Sequence, residues 1–369
     1  MATITENIPY VDIGSQFTPM RDELMAAIEE VMASGWFILG PNVEEFERQF
    51  AEMTGTKYAI GVGNGTDALS LPMKGLGIGP GDEVIVPPNS YLASASSVAL
   101  IGATPVFADV TDTYNIDPEE VKKKITSKTK AIMAVHLTGR PAAMNELQSI
   151  ADEHGLFLIE DSAQAVGATY EGKPVGGLGH FSGFSLHPLK NLNAAGDAGV
   201  VTTNDEELYH HMLKARTHGH PNRNECDFWS LNSRLDAMQA AILLVKMKYV
   251  HEWNDLRRRN AAIYQSRLAD VVSVPTDATH EKAVYHTFII QTDQRDALKD
   301  HLNNHGIGSA IHYPIPIHLQ KSAAYLGYQR GDMPVTEHQC DTILSLPVHH
   351  GLTEDQTNRI CDTILAFFS

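Results

Sequence analysis

The stretch Leu156-Phe157-Leu158-Ile159-Glu160-Asp161 is a short apolar run that ends on two carboxylates. Four apolar residues in succession fit a strand covered on both faces better than one with a wet side. Working outward, Ala131-Ile132-Met133-Ala134-Val135, Thr104-Pro105-Val106-Phe107-Ala108-Asp109-Val110 and Glu83-Val84-Ile85-Val86 repeat the pattern. Helical segments at residues 90–100 and 144–154 fall between them. Apolar strands alternating with helices predict an α/β domain with a mostly parallel, doubly covered sheet. In such sheets ligands bind at the carboxyl ends of the strands. A carboxylate there is costly unless something meets it. Asp161 therefore reads either as a cap for Ser162-Ala163-Gln164 or as the partner of a cationic heteroaromatic nitrogen.

Residues 1–20 read as an extended arm ending near Pro19. Residues 22–33 carry Leu24, Ile28 and Val31 at helical spacing and stop at Ser34-Gly35, and Gly40-Pro41-Asn42 opens a second helix with Val43, Phe46 and Phe50 on one face. The strand Tyr58-Ala59-Ile60-Gly61-Val62 leads into Gly63-Asn64-Gly65-Thr66-Asp67 and the apolar run Ala68-Leu69-Ser70-Leu71. Strand, Gly-rich turn and helix start aim free backbone N–H groups at an anion. The same residues also read as a plain helix cap by Thr66 or Asp67. Neither G-x-G-x-x-G nor a P-loop is present.

A second stretch, Phe184-Ser185-Leu186-His187-Pro188-Leu189-Lys190-Asn191-Leu192-Asn193-Ala194-Ala195-Gly196-Asp197, carries Lys190 between Pro188 and a small-residue run. The apolar strand Ala198-Gly199-Val200-Val201 follows. The placement suits a reactive amine at a pocket floor, and by spacing alone it suits an ordinary surface lysine equally. Thr66, Tyr91, Asp161 and Lys190 all fall just after predicted strands, so they can converge on one crevice. Residues 234–274 lack Pro and Gly and carry Leu235, Met238, Ile242, Val245 and Tyr249 as an apolar stripe. This predicts one long helix bent near His251-Glu252-Trp253. A strand at 285–291, a helix at 296–305, a strand-like segment at 309–313 and a last helix from Thr353 complete the chain. The expected organisation is an arm (1–20), a large α/β domain (21–250) and a smaller α+β domain (251–369).

The 369 residues are 43% hydrophobic and 20% charged, which excludes a mostly disordered chain. A net charge of −17 with no Lys/Arg cluster to offset it opposes a nucleic-acid partner. Three widely spaced cysteines suggest neither a disulfide framework nor a zinc site, and point to a reducing, cytoplasmic compartment. No apolar run approaches the ~18 residues that span a bilayer. The histidine pairs at 210–211 and 349–350, with His218 and His220, read as exposed or domain-interface histidines, so no metal is expected.

Taken together, the chain resembles the DegT/DnrJ/EryC/StrS sugar aminotransferases, pyridoxal-phosphate enzymes of fold type I. The resemblance rests on Asn64-Gly65-Thr66-Asp67-Ala68-Leu69, Glu160-Asp161-Ser162-Ala163-Gln164, and Phe184 to Asn191 as quoted above. Leu231-Asn232-Ser233-Arg234-Leu235-Asp236-Ala237-Met238-Gln239-Ala240-Ala241 and Ile311-His312-Tyr313-Pro314 add to it. It implies a large domain with a mostly parallel seven-stranded sheet and a smaller α+β C-terminal domain. Lys190 would form the Schiff base and carry the proton between the cofactor's C4′ and the substrate carbon. Asp161 would hold the pyridinium nitrogen, Gln164 the ring hydroxyl, and Tyr91 would stack on the ring. The phosphate would lie on Gly65, Thr66 and Asp67 with the hydroxyls of Thr66 and Ser185, and Asn232 would reach it from the other subunit of a homodimer. Some relatives carry histidine in place of the lysine and are dehydratases; Lys190 is present here.

The resemblance further implies transfer of an amino group from L-glutamate to a nucleotide-linked keto-sugar, with pyridoxamine phosphate as the half-reaction form. The product would be an amino sugar for surface polysaccharide. His312-Tyr313-Pro314-Ile315-Pro316-Ile317-His318-Leu319-Gln320 resembles members that aminate C3 of a 3-keto sugar. The alternatives are C4 of a 4-keto-6-deoxy nucleotide sugar, or amination of another keto-sugar. Arg234, His312 and Tyr313 would line the sugar pocket. Arg234 suits a uronate by charge, and reads equally as a structural salt bridge to Asp236 or another acid. Two other classes compete. A regulatory protein on this fold would want a basic DNA-binding extension, and a nicotinamide oxidoreductase would want a third glycine after Gly63-Asn64-Gly65.

Overall fold

The computed structural model describes residues 7–369. The first six residues of the predicted arm lie outside the described range. In chain order the structure begins with α1 (Phe17–Ser34), α2 (Pro41–Thr54), β1 (Tyr58–Val62), α3 (Gly65–Gly75), β2 (Glu83–Val86) and α4 (Ala93–Leu100). Next come β3 (Thr104–Phe107), α5 (Pro118–Lys124), β4 (Thr129–Val135), α6 (Met144–His154) and β5 (Phe157–Asp161). After the short β6 (Thr169–Tyr170) and β7 (Lys173–Pro174) follow β8 (Phe181–Ser185), β9 (Gly199–Thr203), α7 (Glu206–Ala215), α8 (Ala237–Met247) and α9 (Val250–Leu268). The chain closes with β10 (Glu281–Lys282), β11 (Phe288–Gln291), α10 (Arg295–Asn304), α11 (Pro334–Thr342), β12 (Ile343–Leu346) and α12 (Glu354–Phe368).

Seven strands form one sheet in the order β1-β9-β8-β5-β4-β2-β3. β9 alone runs against the rest, pairing antiparallel with both β1 and β8. Ala134 lies opposite Glu160, and Asp161 lies opposite both Val135 and Gly183, so β4, β5 and β8 end at nearly one level. The apolar runs are buried on both faces: Ile60, Val86, Met133, Ile159 and Val201 share one core, and Ile85, Ile132, Ala134 and Leu158 share another. Burying such a side chain contributes roughly 1.5–3 kcal/mol, which is why these runs form strands although several are only four or five residues long. On the α2 face, Phe50 meets Phe184 edge-on at 5.0 Å. That contact fixes the end of β8 immediately before Ser185.

The C-terminal elements surround a core of their own, with Tyr264, Phe288, Leu298, Leu344 and Ile360. Ile8 belongs to it as well, because its N–H donates to Gly306 O (2.9 Å) and its carbonyl accepts from Gly308 N (2.8 Å). The three cysteines are free, Cys226 exposed and Cys340 and Cys361 buried.

Four expectations need correction. Helix α1 starts at Phe17, so Pro19 sits in its first turn rather than closing an arm; there its missing N–H costs no helix bond. The long helix is two helices, broken at Lys248 and Tyr249 rather than at 251–253. No proline or glycine marks the break. It is held from outside by Glu23 of α1, which takes Lys248 Nζ at 2.7 Å and the Tyr249 hydroxyl. β11 begins at Phe288, not at residue 285, because Tyr285 has φ 45° and the carbonyls of residues 284–286 accept from Asn191 and Arg257 side chains instead of a neighbouring strand. Residues 309–313 form no strand: Ala310 makes a single bridge to Ser345, and His312 turns toward Tyr10.

Candidate active site

The turn between β1 and α3 is built by Asn64. Its backbone is extended, its Oδ1 accepts from Asp67 N at 2.9 Å, and its Nδ2 donates to Asp67 Oδ2 at 2.9 Å. Asn64, not Thr66 or Asp67, is therefore the cap. Ser233 Oγ donates to Asp67 Oδ2 (2.6 Å) and accepts from Gly63 N (3.0 Å), so the Asp67 carboxylate is engaged in holding the turn. Ala68 N–H donates to Asn64 O. Among the described residues nothing accepts from the N–H groups of Gly65 and Thr66, the first two of α3, and both donors remain free at the helix's positive end.

Gly65 is required here. A Cβ on it would stand 2.7 Å from Ser185 Cβ and 3.2 Å from Ser185 Oγ. The missing side chain lets the end of β8 lie directly against the turn, bringing a hydroxyl beside the two free N–H groups. Together they form a small anion cradle.

Asp161 closes β5 and is 4% exposed. Ser94 of α4 donates to its Oδ2 at 2.6 Å, and Ala163 N–H donates to Oδ1 at 3.1 Å. The predicted cap is present: Asp161 Oδ1 holds the turn at Ser162–Ala163, and the carboxylate stands at the carboxyl end of β5. Behind it, the fully buried Glu160 accepts from Gly176, Leu178 and Gly179 N–H (2.9 Å each) and meets His136 Nε2 at 3.1 Å. Glu160, His136 and Ser94 were not singled out from the sequence. The only local signal was the Ser90–Ser94 pair, one helical turn apart and hydrogen bonded at 2.7 Å.

Lys190 sits in the turn after β8, with its N–H on His187 O at 2.8 Å. It is half-buried, and burial pushes its amine down to about 8 against the opposing attraction of Asp161. His286 and His312 lie on the same side. Burial, then the Lys190 charge, drives both below the ordinary imidazole value, His312 to about 4. His312 Nδ1 contacts Ser345 Oγ at 2.9 Å, and its ring stacks on Tyr10 at 5.6 Å.

Gln164 Oε1 accepts from Thr138 N at 2.7 Å, which turns its amide NH2 toward the Tyr313 hydroxyl. Burial, the first cause, and the charge of Asp161 both raise the Tyr313 phenol. The Tyr313 and Tyr91 rings stand 5.9 Å apart, and Tyr91 is 58% exposed. Lys190, Asp161, Gln164, Tyr91, His312 and Tyr313 are thus linked in one cluster, and Ser185, at the end of the strand that leads to Lys190, borders the Gly65–Thr66 turn.

Asn232 and Arg234 flank Ser233 at the outer side of that cradle. Asn232 is exposed, and its backbone bridges to Thr217. Among the described residues Arg234 forms no ion pair, so the predicted salt bridge to Asp236 is absent and the guanidinium is free. Among the described residues no group of three or more His, Cys, Asp or Glu could hold a metal, and no helix is long and apolar enough to cross a membrane.

A helix start with two free N–H groups, a buried carboxylate at a strand end and an amine of depressed basicity near that carboxylate fit pyridoxal phosphate. The comparisons agree. Residues 19–365 match the DegT/DnrJ/EryC1/StrS aminotransferase family. A "Pleiotropic regulatory protein" of Geobacillus stearothermophilus is 41% identical, with 98% of this chain and 99% of the relative aligned. A "dTDP-3-amino-3,4,6-trideoxy-alpha-D-glucose transaminase" of Streptomyces venezuelae is 40% identical over 98% of this chain and 96% of its own. A UDP-N-acetyl-3-dehydro-alpha-D-glucosamine 3-aminotransferase of Acidithiobacillus ferrooxidans is 42% identical over 98% of each chain. The crystal structure of DesV from S. venezuelae with a ketimine intermediate superposes with a TM-score of 0.96 at 40% identity, covering 98% of this chain and 99% of that one. The chain is a fold type I enzyme and belongs to the DegT/DnrJ/EryC1/StrS family of pyridoxal-phosphate-dependent aminotransferases.

Proposed function

We propose that this aminotransferase moves an amino group from L-glutamate to C3 of a 3-keto sugar carried on a nucleotide. The observation that supports it most is the pairing of a half-buried Lys190, lowered to about 8, with the buried Asp161 across one crevice. Pyridoxal phosphate, when bound, supplies an aldehyde that accepts the amino group and a ring that takes up the electron pair left on the substrate carbon. With the cofactor bound, Lys190 Nζ would condense with that aldehyde, releasing one water, and would carry the proton to and from the substrate carbon. Its lowered basicity leaves about a quarter of it neutral at pH 7.5, against about 0.1% for an ordinary lysine. Asp161, itself held by Ser94 and Ala163, would keep a proton on the ring nitrogen. Gln164, oriented by the Thr138 N–H, would serve the ring hydroxyl, and Tyr91 would stack on the ring.

The free N–H groups of Gly65 and Thr66, with the hydroxyls of Thr66 and Ser185, take the phosphate. Asp67 acts through Asn64 and Ser233 to keep that turn in shape. Asn232 completes the phosphate site of a second copy, making the homodimer part of the catalyst. The exposed apolar side chains on its own segment, Trp229 at 91% and Leu231 at 51%, suit burial against that copy. On the substrate side, His312 is neutral at physiological pH and offers its ring to sugar hydroxyls. Arg234, with no acid partner among the described residues, gives a carboxylate a charge-assisted partner. The C3 position is carried over from the two relatives named for 3-amino products. The unpaired cysteines suit a cytoplasmic site of action.

The test is a panel of 3-keto and 4-keto nucleotide sugars assayed with glutamate. Turnover of the 3-keto members and near silence with the 4-keto members is expected. Preference for a 4-keto-6-deoxy sugar overturns the C3 assignment. An absorbance band near ~420 nm, bleached by glutamate and lost in Lys190→Ala, is expected of the loaded enzyme.

A further inference from the structure

Helix α8 carries a buried lysine that the transfer itself does not use. Lys246 is 6% exposed and, among the described residues, has no carboxylate partner. Its Nζ donates to Asn193 Oδ1 and, at 3.4 Å, to Gln16 Oε1. Burial, unopposed by any acid, lowers its amine to about 8. An ammonium held only by two amide oxygens is an expensive way to fill a core position, where an apolar side chain would serve.

What the charge does is decide which way Asn193 faces. An amide presents an acceptor oxygen on one side and an NH2 donor on the other, and in a symmetric setting the two can exchange places. A lysine ammonium only donates, so it tolerates only the oxygen. With Oδ1 fixed on Lys246, the buried Asn193 must point Nδ2 the opposite way, where it donates to Lys190 O at 2.9 Å. Gln239, two turns earlier on α8, holds the next stretch of the loop through Ala195 N at 2.8 Å. From the other side Asn254 of α9 takes Asn191 Nδ2 at 2.8 Å.

We propose that Lys246 is a positioning residue for Lys190, acting through Asn193 to fix the peptide that aims the reactive amine. The inference rests on the reading of Lys190 as the residue that condenses with the cofactor aldehyde, a step that forms one C=N bond and releases one water.

The experiment compares two forms of the cofactor. Pyridoxal phosphate gains affinity from the covalent link to Lys190, whereas pyridoxamine phosphate has no aldehyde and gains none. In Lys246→Met, the Kd for pyridoxal phosphate rises at least tenfold, about 1.4 kcal/mol. The Kd for pyridoxamine phosphate stays within about twofold, since a lost imine affects one ligand only. Asn193→Ala gives the same selective loss, and the double variant is no worse than either single one, as expected of residues acting in series. Lys246→Arg, which keeps the donor and the charge, restores part of the affinity. Equal weakening of both ligands would assign Lys246 to general support of the fold and overturn the proposal, as would no weakening of either. If Lys246→Met does not fold, Asn193→Ala alone decides by the same criterion. Borohydride reduction of the wild-type enzyme, followed by peptide mapping, separates the two levels. Label on a residue other than Lys190 defeats the site reading, whereas label on Lys190 without selective loss in the variants defeats only the positioning role.

Discussion

Replacing Lys190 by methionine should abolish transfer and, in the cofactor-free protein, raise stability. The ammonium is half-buried, and among the described residues no acceptor hydrogen-bonds its Nζ; only the charge of Asp161 favours it. A fall from 10.5 to about 8 is worth, at ~1.36 kcal/mol per tenfold, about 3 kcal/mol of unfavourable free energy in the folded ammonium. Methionine keeps the unbranched stem and removes the charge. The sign with pH follows from proton binding. Between about pH 8 and 10.5 the unfolded chain holds the Lys190 proton and the folded chain has released it, so wild-type stability climbs through that window. The variant lacks this contribution. Its advantage is therefore largest at neutral pH and shrinks by about 2 kcal/mol between pH 7 and pH 9.5. Urea unfolding of both cofactor-free proteins, at equal protein concentration and at both pH values, measures the difference. A variant less stable than wild type at pH 7, or an advantage that does not shrink with pH, would refute the account of a burial-strained amine. The result would be a trade of stability for reactivity at one residue.

Two further outcomes are expected. Asn64→Ala removes the cap of α3 and the brace on Asp67, costing about 1 kcal/mol of stability. Isothermal titration should also record weaker binding of pyridoxamine phosphate, whose hold on the cradle does not involve Lys190; unchanged binding would remove the Gly65–Thr66 turn from the phosphate site. Asn232→Ala should weaken cofactor retention on gel filtration more than it weakens folding. An equal fall in Tm with and without added cofactor would count against its placement at the partner's phosphate site.

The sheet was legible because its strands are buried on both faces and therefore read as unbroken apolar runs, each closed by a turn residue. The crevice was legible for a related reason: Asp161 and Lys190 are costly where they stand, and such costs are visible in a sequence as polar residues at the ends of apolar strands. The cap at Asn64 was misassigned to its neighbours because Asn, Thr and Asp all cap helices well, and only the extended backbone of Asn64 distinguishes them. The residues not foreseen act across long separations. Ser94 reaches Asp161 over 67 positions, and Lys246 reaches Asn193 over 53. Neither pairing leaves a local pattern. The free guanidinium of Arg234 could not be read either, since an acid two residues away in sequence is no guide to where a long side chain points.

The break between α8 and α9 belongs to the same problem. A straight helix through residues 237–268 would set Lys246 and Asn254 about 12 Å apart along its axis. Their partners, Asn193 and Asn191, are only two residues apart, at most about 7 Å even in an extended chain. The turn at Lys248 and Tyr249 and the reach of the lysine side chain together take up this mismatch. Glu23 of α1 fixes the turn by engaging both Lys248 and Tyr249. One face of α8 then holds residues 193 and 195 while α9 holds 191, and the loop bearing Lys190 is gripped from two directions. The absence of proline or glycine at the break is consistent with this geometry. The two helices are held by different partners on either side of the break, and those partners include Asn193 and Asn191, which flank the reactive amine in sequence.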